Sequence, residues 1–188
     1  MLVYVHGFRS SGQSSKAQVL SNHFGAHSVK APDLPASPEE ALKLVEEIVK
    51  ESSEPVLLVG SSLGGFYSLV LAANLNITAV LINPSLRPWQ TLADGVGWHK
   101  LIHSDDDFEW KQSYNDHLAQ CGKMLEDTPP FDERLHFFLA EDDELLDHSS
   151  VPQLFPNAAT LVYFSKCTHR FLRFEEIIDK IAKIYGGL

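Results

Sequence analysis

Residues 56–65 read Val56-Leu57-Leu58-Val59-Gly60-Ser61-Ser62-Leu63-Gly64-Gly65, four apolar residues running into a cluster of glycine and serine. A helix-compatible run follows at 66–73, so a buried strand turns abruptly into a helix. Gly60-x-Ser62-x-Gly64 sets one serine midway between two glycines; Ser61 has no such pair around it. A sharp strand-to-helix turn puts its central residue in a strained backbone conformation and exposes the hydroxyl. The residues two before and two after approach other backbone too closely for a Cβ, which accounts for Gly60 and Gly64. Ser62 is therefore the candidate nucleophile. The helix after it aims its N-terminal amides, the positive end of its dipole, at any oxyanion that forms there.

Outward from this turn, apolar runs recur at 2–5, 28–30 (weakly), 56–59, 77–82, 135–139 and 160–164. Helical periods lie between them. Ser37-Pro38-Glu39-Glu40 is a helix start, with Ser37 as N-cap, Pro38 in the first position and Glu40 completing a capping box. Ala41, Leu42, Val45, Ile48 and Val49 then form one apolar face. The last helix carries Phe174, Ile177, Ile178, Ile181 and Ile184 and stops at Gly186-Gly187. Alternating strands and helices predict a three-layer α/β sandwich of about six parallel strands, and right-handed crossovers with an oxyanion loop after the first strand set the expected order 2-1-3-4-5-6. Residues 1–188 read as a single domain. The stretch 84–133 breaks the rhythm: it holds all three tryptophans, the acidic run Asp105-Asp106-Asp107 and Pro129-Pro130. It is too long for a plain connection and is expected to cap one end of the sheet. Trp89, Trp98, Phe108 and Trp110 are its candidate substrate-pocket residues, able to bury an apolar group.

A serine nucleophile needs a base, and the base needs an orienting acid. On this architecture the chain order is serine, acid, histidine. His169 follows the sixth strand and is the candidate base. His23, His27, His117, His136 and His148 read as ordinary surface histidines. The acid should follow the fifth strand, where Glu141, Asp142, Asp143, Glu144 and Asp147 are all available, with Asp143 preferred. Two amides must meet an oxyanion: Leu63, just after the nucleophile, and Phe8, in the His6-Gly7-Phe8 loop after the first strand.

A formal charge of −10 argues against a nucleic-acid surface. No apolar run approaches the ~20 residues a membrane span needs. Cys121 and Cys167 make neither a disulfide framework nor a CxxC pair, and a strand starting at residue 2 leaves no room for a signal peptide. The expectation is a cytoplasmic protein with both thiols reduced. His99 and His103 are four apart beside the acidic run and could share a helix face, but no HExxH accompanies them, so no metal is assigned.

Several blocks together resemble a known family. HGFRSS at 6–11, GSSLGGFY at 60–67, NPSLRPW at 83–89, DELLD at 143–147 and THRF at 168–171 are similar, in order, to the YqiA-type esterases of the α/β-hydrolase superfamily. The resemblance implies a reduced α/β-hydrolase fold and a serine carboxylesterase without metal or cofactor. Ser62, Asp143 and His169 match its triad positions, and its D-E-x-L-D pattern favours Asp143 over Asp142. Its substrate would be a small-molecule acyl ester. An acyl-CoA thioester is the alternative, because both reactions pass through an acyl-serine, and a non-catalytic binding protein on the same fold is a third reading. This chain departs from the pattern twice. Lys166-Cys167-Thr168 stands where glycines usually precede the histidine, and Asp142 stands where a glycine commonly precedes the acid. Like-charge repulsion between Asp142 and Asp143 is expected to raise one of their pKa values.

Overall fold

The computed structural model describes residues 1–102, 104–128 and 131–188. His103, Pro129 and Pro130 lie outside them, so the His103 half of the His99/His103 spacing and the Pro129-Pro130 part of the insertion fall outside the described residues. In chain order the elements are β1 (Leu2–Val5), α1 (Ser15–Phe24), β2 (Val29–Lys30), α2 (Pro38–Glu51), β3 (Leu57–Ser61), α3 (Leu63–Leu75) and β4 (Thr78–Ile82). Then come α4 (Pro88–Thr91), β5 (Gly97–Lys100), β6 (Asp107–Trp110), α5 (Gln112–Glu126), β7 (Leu135–Ala140), α6 (Val151–Leu154), β8 (Thr160–Phe164) and α7 (Ile178–Gly186).

Six strands form one parallel sheet in the order β2-β1-β3-β4-β7-β8, which is the expected order. Both faces are covered, so side chains of alternating parity enter two separate cores. Val3, Val5, Leu58, Leu81 and Phe137 pack beneath α2, α3 and α5. Leu2, Tyr4, Leu57, Val59, Ile82 and Phe138 pack beneath α1 and α7. Helix α3 is buried along its length from Leu63 to Ala72. Two glycines in its first turn weaken its intrinsic propensity by about 1 kcal/mol each. Burial of Phe66, Leu69 and Leu71, at ~1.5–3 kcal/mol per large side chain, outweighs that. Ser37 Oγ accepts the Glu40 amide at the start of α2, and the first turn of the last helix tightens to a 3-10 turn, Phe174–Ile177.

The insertion is more regular than its composition suggested. After α4 and a short 3-10 turn, β5 and β6 form an antiparallel hairpin separate from the main sheet. Trp98, Lys100, Asp107 and Glu109 face solvent while His99, Phe108 and Trp110 turn inward. His99 is thus a strand residue, not part of a helix face, and its Nε2 lies 2.6 Å from the Gly95 carbonyl oxygen. Helix α5 then lies against α3, burying Leu118, Cys121 and Gly122. Cys121 and Cys167 are both free and buried. Among the described residues no helix is long and apolar enough to cross a membrane.

Candidate active site

Strand β3 ends at Ser61 and α3 begins at Leu63, so Ser62 alone makes the turn, with φ 57° and ψ −122°. This left-handed conformation is strained for a residue with a Cβ and persists only where its surroundings over-determine it. They do so here. The Ser62 amide donates to the Ile82 carbonyl at 3.0 Å, and the Ser62 carbonyl accepts from Gly65, Phe66 and Ser85. The glycines have a steric reason. A Cβ on Gly60 would run into the Gly64 carbonyl and the Ser68 hydroxyl, and one on Gly64 into the carbonyls of Val5 and His6. Gly7 passes over the serine itself, where a Cβ would lie 3.0 Å from Ser62 Cβ.

The structure brings Ser62, His169 and Asp143 together. His169 Nδ1 lies 2.9 Å from Asp143 Oδ2, so its proton is donated to the carboxylate. Nε2 is then free to accept the Ser62 hydroxyl, 3.0 Å away. The Asp143 side chain is only 1% exposed. Burial alone would raise its pKa, but hydrogen bonds from His148, His169 and the Leu145 amide outweigh that and hold the carboxyl well below the usual range.

Three of the four consecutive acids at 141–144 do different things. Asp142 accepts the amides of Cys167 at 2.8 Å and Thr168 at 3.3 Å. Asp143 takes the imidazole, and Glu144 accepts the His169 amide at 2.8 Å. The expected repulsive rise is corrected: the Cys167 amide, then the Thr168 amide, lower the Asp142 pKa despite Asp143 beside it. The histidine turn needs this support. Lys166 (φ 55°), Thr168 (φ 59°) and Phe171 (φ 53°) all sit in the left-handed region, with no glycine among residues 165–173.

Two residues with no catalytic signature in the sequence also belong here. Asn83, fully buried after β4, donates its amide to the carbonyls of Thr168 (3.0 Å) and His169 (3.1 Å). Its own Oδ1 accepts the Ala140 amide at 2.7 Å. It therefore ties the ends of β4 and β7 to the histidine turn. Its only sequence signal was its place in the NPSLRPW block. His148, expected on the surface, is 4% exposed and lies 2.9 Å from Asp143 Oδ2.

The loop after β1 is fixed by His6. Its Nε2 accepts the Leu34 amide at 3.0 Å, leaving Nδ1–H to donate to the Gly7 carbonyl at 2.9 Å. Phe8 is wedged against the hairpin, its ring 5.1 Å from His99, 5.5 Å from Phe108 and 5.1 Å from Trp110. Arg9 Nε donates to the Lys100 carbonyl, and the Ile102 amide donates to the Arg9 carbonyl, linking this loop to the hairpin. Among the described residues, neither the Phe8 nor the Leu63 amide has an acceptor within the protein.

The four aromatic pocket candidates do not come together. Phe108 and Trp110 line a cavity of about 110 Å³ with Phe8, Leu63, Tyr67 and Leu34. Trp89 instead packs on α5, where a Cβ on Gly122 would strike its ring, and lines a separate cavity of about 360 Å³ with Leu69, Leu125 and Phe155. Trp98 is 73% exposed, because the strand's alternation turns it outward. The cleft over Ser62 and His169, about 580 Å³, is walled instead by Phe8, Ile102, Phe171 and Leu172, with Lys16 and Arg170 on its rim. Burial brings the Lys16 ammonium down to about 8.

Among solved structures, this chain is similar to a monoacylglycerol lipase of Paleococcus ferrophilus (TM-score 0.72, 17% identity, 97% of this chain and 92% of that one). It is also similar to Est1E from Butyrivibrio proteoclasticus (TM-score 0.67, 13% identity, 98% and 88%). The architecture is the α/β-hydrolase fold. By sequence it is 24% identical over 187 residues to a UPF0227 protein of Vibrio vulnificus, covering 96% of each chain. A UPF0227 protein of Pasteurella multocida is likewise 24% identical over 187 residues, covering 96% of this chain and 97% of that one. The family model described as "Uncharacterised protein family (UPF0227)" matches residues 1–186, and the chain belongs to that family, the YqiA family whose sequence blocks it shares.

Proposed function

We propose that this protein is a serine hydrolase that cleaves carboxylic esters through an acyl-serine intermediate. The observation that carries this reading is the continuous hydrogen-bonded line Ser62 Oγ–His169 Nε2–Asp143 at a strained strand-to-helix turn. Ser62 Oγ attacks the ester carbonyl carbon as its proton passes to His169 Nε2. Asp143 holds the ring in the Nδ1–H form and stabilises the imidazolium. The carbonyl oxygen, now an oxyanion, is met by the Phe8 and Leu63 amides and by the N-terminal end of α3. Collapse breaks the C–O bond, and His169 returns its proton to the departing alcohol. Water, deprotonated by the same imidazole, then releases the acid and restores Ser62.

Residues 84–133 act as the cap in this reading. The Phe108–Trp110 cavity takes the acyl group, and it shares Gly7, Phe8 and Ser10 with the cleft over the nucleophile. Its ~110 Å³ is less than the roughly 150 Å³ that holds a benzene ring, which favours a short acyl chain.

An acyl-CoA thioester is the second reading, favoured by Lys16 and Arg170 on the cleft rim, which suit an anionic leaving group. Comparing kcat/KM for butyryl-CoA with that for a neutral butyrate ester separates the two. The central test is fluorophosphonate labelling with peptide mapping. The adduct is expected on Ser62 and absent from Ser62→Ala. An adduct on Ser61, Ser10 or Ser11, or full esterase activity in Ser62→Ala, would falsify the mechanism.

A further inference from the structure

His148 reads from the sequence as an ordinary surface histidine, yet it reaches the same buried carboxylate oxygen as the candidate base. Asp143 Oδ1 accepts the amides of Leu145 and Leu146, each at 2.9 Å. Oδ2 is 2.9 Å from His169 Nδ1 on one side and 2.9 Å from His148 Nε2 on the other. Both side chains of the His148 pair are nearly dry, at 3% and 1% exposed. A carboxylate can only accept, so His148 presents Nε2–H to it.

His148 is itself held firmly. Its carbonyl accepts the Tyr163 hydroxyl from β8 at 3.0 Å and the Val151 amide from the start of α6 at 3.1 Å. The groups facing Asp143 are thus His148 and the Leu145 and Leu146 amides of its own segment, and His169 of the histidine turn. Asp147 accepts the Ser149 amide and Glu144 the His169 amide, so neither competes with Asp143 for the imidazole N–H groups.

We infer that His148 is a positioning residue of the site: its Nε2–H fixes the Asp143 carboxylate in the plane that aims Oδ2 at His169 and shares the charge that His169 feels. The inference rests on the reading of Ser62, Asp143 and His169 as a catalytic triad. The physical reason is one of counting. A buried carboxylate with an unfilled acceptor site in dry surroundings loses a charge-assisted hydrogen bond, the strong kind, and with it the restraint on its rotation. With two fixed amides on Oδ1, His148 on Oδ2 and His169 Nδ1 2.9 Å from Oδ2 and 3.1 Å from Oδ1, it has one orientation. Without His148, Oδ2 keeps only the partner it is supposed to orient. More of the negative charge then falls on His169, which raises the basicity of that imidazole.

The test compares His148→Leu, which removes the N–H, with His148→Gln, whose amide nitrogen reaches the place of Nε2. In His148→Leu, kcat for a neutral short-chain ester should fall about 10- to 100-fold, the size expected when a catalytic group is slightly misplaced. KM should change little, and the acidic limb of the kcat/KM profile should move to higher pH. His148→Gln should recover most of the rate and return the limb toward its original position. Equal rates in the two variants, or a lower rate with an unmoved limb, overturn the inference. The low-field proton resonance of the His169 Nδ1–H···Asp143 bond gives a readout that needs no turnover. It should shift or broaden in His148→Leu and persist in His148→Gln; an unchanged resonance in His148→Leu also overturns the inference, even if that variant is less stable. Absence of fluorophosphonate labelling at Ser62 in the unmodified protein sinks the functional reading instead, while this resonance still decides the positioning of Asp143.

Discussion

The elbow at residues 60–64 and the histidine turn at residues 165–171 deliver the two halves of one hydrogen bond, but they are stabilised in opposite ways. In the elbow a single residue, Ser62, takes a left-handed conformation, glycines make room beside it, and backbone groups do the holding. In the histidine turn three non-glycine residues are left-handed, Thr168 among them with a β-branched side chain, and side chains from elsewhere reinforce its two backbone bonds, Phe171 amide to Thr168 carbonyl and Leu172 amide to Cys167 carbonyl. Asp142, Glu144 and Asn83 all bond to backbone atoms of residues 167–169. The two features are linked in space: with no glycine among residues 165–173, the Asp142 carboxylate helps to hold the turn. A backbone that cannot be relaxed locally needs restraint from outside.

The largest effect that tests this contrast belongs to the elbow. Gly64→Ala drives a methyl into the carbonyls of Val5 and His6, which belong to the central sheet and its loop and cannot move aside. The expected cost is at least about 3 kcal/mol, the upper end of overpacking, read by denaturant unfolding. A loss under about 1 kcal/mol would mean that the strand-to-helix turn has more slack than its glycines imply.

The histidine turn should instead be sensitive to a change 25 residues away. Asp142→Asn keeps the shape but replaces an ionised acceptor of two amides with a neutral one. The His169 ring then loses precision, and kcat should fall roughly 10- to 100-fold with little change in the unfolding midpoint. Unaltered kcat would show that Asn83 and Glu144 hold the turn without it.

Acid should separate the turns as well. Asp142 and Asp143 have folded-state pKa values below the ordinary aspartate value of 3.8, so on acidification the unfolded chain takes up protons first. Their contribution to stability is complete above that value and is lost as the pH falls below it. Between pH 5 and 2, amides of residues 167–169 should lose hydrogen-exchange protection before those of residues 64–66, which no titratable side chain holds. Simultaneous loss would mean that both turns melt only with the whole fold. The smallest effect is Thr168→Gly. It removes a left-handed penalty of ~1–2 kcal/mol but adds ~0.5–1 kcal/mol of chain entropy in the unfolded state. A net stabilisation under about 1 kcal/mol is expected from thermal unfolding; a clear destabilisation would mean that the Thr168 side chain supports the turn.

The sequence by itself determined what local periodicity and sterics can encode. The parallel sheet followed from alternating apolar runs and helices, its order from crossover handedness and the loop after the first strand, and the conformation of Ser62 was implied by glycines two positions to either side. Tertiary structure decided what depends on residues far apart in the chain. Asp142, Asp143 and Glu144 are chemically near-equivalent in sequence, and only the approach of residues 167–169 gives each a different partner. Asn83 and His148 carried no local signature, because each acts across the sheet edge or through a buried contact with Asp143. Among the tryptophans, strand alternation turned Trp98 to solvent and Trp110 inward, while a glycine on α5 drew Trp89 away from Ser62. Composition states that a ring is apolar, but only packing chooses which surface it covers.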